Sequence, residues 1–257
     1  MRVDTMFGVP VYVLAEDMEL PQEGNYYVVA SNGIFLHKDT GLMQASFPVE
    51  GISPLMGYKA TNAIRHSLEK IDQDLCYKVK TFFARVVAEH RSESCVVLYY
   101  NPHATQNKYA LVVPQQAVSH GGVRYRRKGL TFSEELAGTG YLPIGTIHSH
   151  CDFQAFHSGT DHGDEISWDG LHITFGHNDK DEFTISASMM MNGRRAKIDP
   201  ESVLEGITLV KDDVYTLHEQ PELFVKCVSE EIDSWMTQIL PWKELEQLLI
   251  EDAVSDN

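Results

Sequence analysis

Between residues 148 and 161 the chain reads HSHCDFQAFHSGTD, that is H-x-H, seven residues, then S-x-x-D. In an extended strand, side chains two apart share a face, so His148 and His150 aim their imidazoles at one point. Ser158 and Asp161 have the spacing of a helix N-cap and the third helical residue, the pattern that opens a helix. The stretch therefore predicts a strand, a loop and a capped helix whose first turn returns Asp161 toward the strand. Two imidazoles and one carboxylate match the donor set of a catalytic zinc site that keeps a fourth position for water. His148, His150 and Asp161 are accordingly the candidate ligands of a single divalent ion, one Zn2+ per chain. Two compatible roles are open to Ser158: capping the helix, or donating its hydroxyl to the oxyanion that forms when a carbonyl is attacked.

Such a site needs a core to hold it, and 257 residues at 43% hydrophobic content are enough for a sizeable one and for a second small module. The net charge of -16 disfavours a sequence-independent grip on a phosphate backbone, so nucleic acid is not an expected partner. Neutral or basic proteins suit that charge better, although solubility alone also accounts for it. Cys76, Cys95, Cys151 and Cys227 lie far apart with no C-x-x-C pair, which suggests neither a zinc knuckle nor a disulfide framework. A cytoplasmic location is the simplest expectation. The first residues carry acidic side chains and no apolar h-region, so no signal peptide is expected. No run of apolar residues is long enough to predict a membrane span.

Residues 1 to about 55 read as short strands, Pro10 to Leu14, Tyr26 to Ala30, Gly33 to His37 and Leu42 to Phe47, with turn signals at Ser31-Asn32-Gly33 and Asp39-Thr40-Gly41. This module either docks a partner or covers an edge of the main sheet. Ile64, Leu68, Ile71 and Leu75 keep a helical spacing, and Val79, Phe82, Phe83, Val86 and Val87 repeat it. Strands are expected at Val96 to Tyr100, Tyr109 to Val113, Gly145 to His150, Leu171 to Phe175 and Phe183 to Met191. A turn is expected within 118–125, and Asn192-Gly193 predicts a hairpin into Arg194 to Ile198. The basic run Arg124 to Lys128 either meets acidic residues of a substrate or forms a solvated edge. Residues 221 to 253 carry a helical pattern broken near Pro241, open to a dimer or partner role or to packing on its own domain. EDAVSDN at the end reads as frayed.

With these residues in view, the chain resembles the JAMM (MPN+) zinc metalloproteases, and among them the bacterial deubiquitinase-like members. The resemblance covers residues 78 to 200, about half the chain. It adds a glutamate on an earlier strand that follows a long helix, and Arg91-Ser92-Glu93-Ser94-Cys95-Val96-Val97-Leu98 matches that setting at Glu93. The chain departs from the family at Val96, where relatives often carry glycine, and at Cys151, where proline commonly follows the second histidine. Both departures concern packing more than chemistry. The resemblance implies an α/β fold, a mixed β-sheet with flanking helices and a JAB/MPN-like, cytidine-deaminase-like core. That gives a β-rich N-terminal extension at 1–58, the metalloprotease domain at 59–215 and a C-terminal helical tail at 216–257. Glu93 and Ser158 would be catalytic, Glu93 as general base and then general acid.

The implied reaction is hydrolysis of the bond after the C-terminal tail of ubiquitin or a ubiquitin-like protein. The substrate tail would be held by strand addition just before the H-x-H strand. Ubiquitin-like conjugates, and activating and conjugating (E1/E2-like) proteins of the same operon, are the implied partners. Two alternatives stand beside it, a non-catalytic MPN-type scaffold and a protease that trims a sulfur-carrier precursor. Cys151 alternates away from His150 in a strand, whereas Asp152 falls on the ligand face by parity and reaches the metal if the loop turns sharply. His157, His162, His172 and His177 exceed what one zinc requires, and orienting a ligand is the natural role for one of them.

Overall fold

The structure, a computed structural model, describes residues 2–6, 9–15, 18–49, 63–126, 136, 138–166 and 168–255. The N-terminal strands are β1 (Arg2–Met6), β2 (Val9–Val13), β3 (Tyr26–Ala30), β4 (Gly33–Asp39), β5 (Met43–Pro48) and β6 (Ala63–His66), which pair in that order into one sheet. Alternation dictates its faces. Tyr26, Val28, Ala30 and Phe35 bury into a small core of their own, whereas Met43, Ala45 and Phe47 of β5 belong to the main core. Asp39 holds the turn after β4 by accepting from the backbone N–H of Gly41 at 2.7 Å and of Gly24 at 2.8 Å.

Helix α1 (Gln73–His90) buries Val79, Phe82, Phe83, Val86 and Val87, the repeat expected from the sequence, and Cys76 with them. The preceding pattern is a correction. Ile64 lies in β6, and Ile71 is extended: its N–H donates to Val203 O at 2.8 Å and its carbonyl accepts from Glu205 N at 2.9 Å. Apolar residues spaced three and four apart over so short a run also suit an extended chain, and backbone partners from β5 and the 203–205 segment decide it. Asp72 sits at ψ 145, outside helical geometry, and only Leu75 falls in the helix.

The main sheet is mixed. Its strands are β7 (Cys95–Tyr100), β8 (Tyr109–Val112), β11 (Leu142–His150), β12 (Gly170–Gly176), β13 (Phe183–Met191), β14 (Arg194–Ile198), β15 (Ile207–Lys211) and β16 (Val214–Leu217). The order is β15-β16-β13-β12-β11-β7-β8, with β14 also on β13. Among these described strands only β11 and β12 run parallel. A parallel pair needs a crossover, and the connection that provides it carries α2 (Gly159–Glu165). Asn192 and Gly193, at φ 51 and 71, make the β13–β14 turn where the sequence predicts it. Met189, Met190 and Met191 are buried.

Helix α1 covers one face of this sheet, with Phe83 edge-on to Phe175. Helix α3 (Glu222–Met236) packs on α1 through Tyr77–Phe224 and Phe82–Trp235. A two-stranded hairpin, β9 (Gln116–Ser119) and β10 (Gly122–Tyr125), lies beside it. Helix α4 (Trp242–Ser255) follows Pro241 and docks by the hairpin, where Leu240 N donates to Gln116 O at 2.8 Å. The expectation of a frayed tail is corrected here: α4 runs to Ser255, and Asp252 accepts two bonds of 2.6 Å from Arg126. Arg124 lies over the Trp242 ring at 5.1 Å. The described part of the basic run thus binds its own C-terminal helix; Arg127, Lys128, Asp256 and Asn257 lie outside the described residues. No described helix is long and apolar enough to cross a membrane.

Candidate metal centre

Gly145 sets which way the histidines point. At φ 151 it forms a bulge where β11 shifts register against β7, and a Cβ there would stand 1.8 Å from Leu171 O. Only glycine tolerates that approach. Beyond the bulge, Thr146, His148 and His150 line a cavity while Ile147 packs into the main core. The cavity holds about 340 Å³ and is walled by Glu93, Ser158, Asp161, Glu165, Phe153 and Phe156 with residues 121–123 of the hairpin.

Ser158 is the N-cap of α2. Its hydroxyl oxygen accepts from Asp161 N at 3.2 Å, and Asp161 Oδ2 accepts from Ser158 N at 2.6 Å. This reciprocal box fixes the carboxylate toward β11. Asp161 Oδ1 lies 3.3 Å from His148 Nε2, and Asp161 Oδ2 lies 3.3 Å from His150 Nε2. Those separations exceed the usual N–H···O length of about 2.9 Å. The two contacts use the two different carboxylate oxygens, and one ligand atom from each of the three residues lies within 4.8 Å of the others, close enough to converge on one ion. The donor set and its grouping are of the kind that holds a zinc ion, with His148, His150 and Asp161 as the ligands it would use.

Glu93 reaches the same cavity by strand register. Arg91 caps α1 in the left-handed conformation, φ 50, and turns the chain back. Cys95 pairs with His148, Ser149 N donates to Ser94 O at 2.9 Å, and Ser94 N donates to Ser149 Oγ at 2.8 Å, which brings Glu93 level with His150. Gln116 stands in for a strand partner here: its amide oxygen accepts from Cys95 N at 2.8 Å and its amide nitrogen donates to Cys95 O at 2.9 Å. A lone glutamine carries no sequence signal of that job.

The electrostatics separate the carboxylates. Burial raises the Glu93 pKa, and nearby His150 and His148 only partly offset it. Burial would also raise Asp161, but hydrogen bonds from His148 and His150 override it and hold that carboxyl far below the usual range. The same contact works in reverse on His148, whose pKa burial would lower and Asp161 raises. One carboxylate is thus firmly ionised beside the imidazoles while the other is moved toward neutrality.

The remaining histidines divide. His172 is buried against Thr146 and Glu165, and His157 lies near Thr174, its pKa pushed down to about 2 by burial and then by Arg195. His177 is turned away, bonded to the Asp152 carbonyl at 2.8 Å. The His162 side chain lies outside the described residues. Asp152 does not join His148, His150 and Asp161, which corrects the parity expectation: β11 ends at His150, and Cys151 takes a left-handed backbone, φ 39, that breaks the alternation. Asp152 groups instead with His120 and Cys151, their ligand atoms within 4.8 Å of one another. There burial raises the Cys151 pKa, which opposes the thiolate a metal needs. Sequence reasoning also misses Glu165, Arg195 and Thr146. Glu165 had one available signal, its place four residues after Asp161 on the same helical face.

No protein-family model and no curated protein matches the chain. Among solved structures, it is similar to protein DSY2949 from Desulfitobacterium hafniense at 12% identity and a TM-score of 0.36, over 48% of this chain and 86% of that one.

Proposed function

We propose that this chain is a JAMM-type zinc metalloprotease with a JAB/MPN-like core, one that hydrolyses the bond following the C-terminal tail of ubiquitin or a ubiquitin-like protein. The observation that carries the reading is the convergence of His148, His150 and Asp161, whose ligand atoms lie within 4.8 Å of one another, in one cavity with a half-buried Glu93. The substrate class rests on the resemblance of the H-x-H-x7-S-x-x-D and Glu93 motifs to the JAMM family.

A zinc ion bound there supplies a Lewis acid and lowers the pKa of a water from near 16 toward about 7. Glu93 takes a proton from the attacking water and later delivers it to the leaving amine, and its raised pKa suits a group that must do both. Ser158 Oγ accepts from Asp161 N, so its own proton remains for the carbonyl oxygen as that becomes negative. Residues 121–123 offer backbone along the cavity to an extended tail. Half-exposed Phe153 and Phe156 give its side chains an apolar wall.

The test is release of a fluorophore from the C-terminus of ubiquitin and of several ubiquitin-like proteins, for wild type and Glu93→Gln, with and without a chelator. Release that needs both the metal and Glu93 is expected. Release that survives chelation or Glu93→Gln contradicts the mechanism, and a zinc-loaded wild type inert on every such substrate contradicts the substrate class.

A further inference from the structure

Glu165 is a buried carboxylate, 5% exposed, that the mechanism above does not use. It stands one turn after Asp161 on α2 and lines the catalytic cavity. Its Oε2 accepts from Arg195 Nη2, and Arg195 Nη1 donates to Ser188 Oγ at 2.7 Å. Its Oε1 faces two imidazoles, His172 Nδ1 at 3.6 Å and His148 Nδ1 at 3.9 Å.

Donor and acceptor accounting decides between them. His172 Nε2 faces the Trp168 carbonyl at 3.1 Å, and a carbonyl only accepts, so that nitrogen carries the proton. His172 Nδ1 therefore bears a lone pair, filled by the Thr146 hydroxyl at 2.9 Å. His172 has nothing to give Glu165. Among the described residues the remaining donor beside Oε1 is His148 Nδ1–H, and closing 3.9 Å to a charge-assisted bond of about 2.8 Å takes roughly 1 Å of side-chain movement. With its proton on Nδ1, His148 would present an Nε2 lone pair to an ion beside Asp161, in place of the Nε2–H that faces that carboxylate in the metal-free protein.

We infer that Glu165, anchored by Arg195, is the positioning residue of the site: it accepts a hydrogen bond from His148 Nδ1–H, keeps the proton on that nitrogen and thereby commits Nε2 to the metal. This rests on the reading that His148, His150 and Asp161 hold zinc. Carboxylates behind ligand histidines fix tautomer and ring orientation, and their loss typically weakens metal binding about 10–100-fold.

The discriminating variant is Glu165→Gln. Arg195 needs an acceptor, so the carboxamide must turn its oxygen that way and its NH2 toward His148, which favours a lone pair on Nδ1 and a proton on Nε2. Zinc affinity would be measured by competition with a chromophoric chelator, alongside the thermal midpoint and the histidine ring N–H signals by NMR of the zinc-loaded protein. The expected result is about a 10–100-fold weaker zinc affinity in a folded variant. A protected His148 Nδ1–H signal should appear in wild type and be lost in the variant. A folded variant with unchanged affinity and an unchanged His148 signal overturns the inference, whatever its thermal midpoint. Should the variant not fold, zinc-loaded wild type decides alone: a protected Nδ1–H supports the assignment, and its absence overturns it. If wild type takes up no zinc at all, the metal reading fails and the inference falls with it, an outcome distinct from a zinc-loaded protein without the Nδ1–H signal.

Discussion

Two groups of His, Cys and Asp side chains near Glu93 bring candidate ligand atoms together, and their difference is instructive. His148, His150 and Asp161 are largely buried, locked by a bulged strand and a capped helix, and their carboxylate is held ionised by the imidazoles. His120, Cys151 and Asp152 pair an exposed histidine and an exposed aspartate with a buried thiol whose pKa burial raises. Residue types alone do not separate the groups, since each offers three competent donors. What separates them is whether the fold has already arranged the ligands and their protonation before the ion arrives.

The largest expected effect breaks that contrast directly. His148→Ala or Asp161→Asn should abolish stoichiometric zinc, while Cys151→Ser should leave it unchanged, as read by metal analysis after dialysis; the opposite pattern would move the site to the second group. Next, Glu93→Gln should lower turnover about 10²–10⁴-fold, the usual range for a general acid–base, with zinc content intact. Normal turnover in that variant would remove Glu93 from the mechanism.

The pH profile sharpens the comparison further. Burial raises Glu93, so the rate should climb with pH through a pKa above the ordinary carboxylate value, because only the ionised form takes a proton. His148 is raised in the metal-free protein, so protons compete with zinc up to a higher pH than for a free imidazole, and affinity should fall as pH drops through that raised pKa. A pH-independent zinc affinity between pH 6 and 8 would contradict the latter. A smaller effect is expected at Ser158, where Asn retains the cap and removes the hydroxyl. Ser158→Ala should cost about 1 kcal/mol of stability through the lost cap. Ser158→Asn should keep the stability and still lose turnover, and equal activity in Asn and wild type would confine Ser158 to capping. Smallest of all, Arg126→Met should cost at most about 1 kcal/mol in thermal or urea unfolding, since its pair with Asp252 is partly exposed.

Local sequence made the motif legible because its geometry is local. Strand parity relates His148 to His150, and cap spacing relates Ser158 to Asp161, so neither needs the tertiary fold. Parity fails at Cys151, where a left-handed residue ends the alternation and carries Asp152 elsewhere. Ile64 and Ile71 mislead for a similar reason: partners far along the chain, Val203 and Glu205 among them, hold Ile71 extended. Glu165, His172 and Arg195 meet only because the parallel β11–β12 pair and the β13–β14 hairpin fold α2 over the sheet. Arg126 and Asp252, separated by 126 residues, gave no sign of each other.

The measurement that tests the central claim most directly is X-ray absorption at the zinc edge of the reconstituted protein. The arrangement predicts one zinc per chain with two imidazole nitrogens and oxygen donors at about 2.0–2.2 Å and no sulfur. A sulfur scatterer near 2.3 Å would place the ion on Cys151, and a protein that retains no zinc would leave these histidines without the role assigned to them.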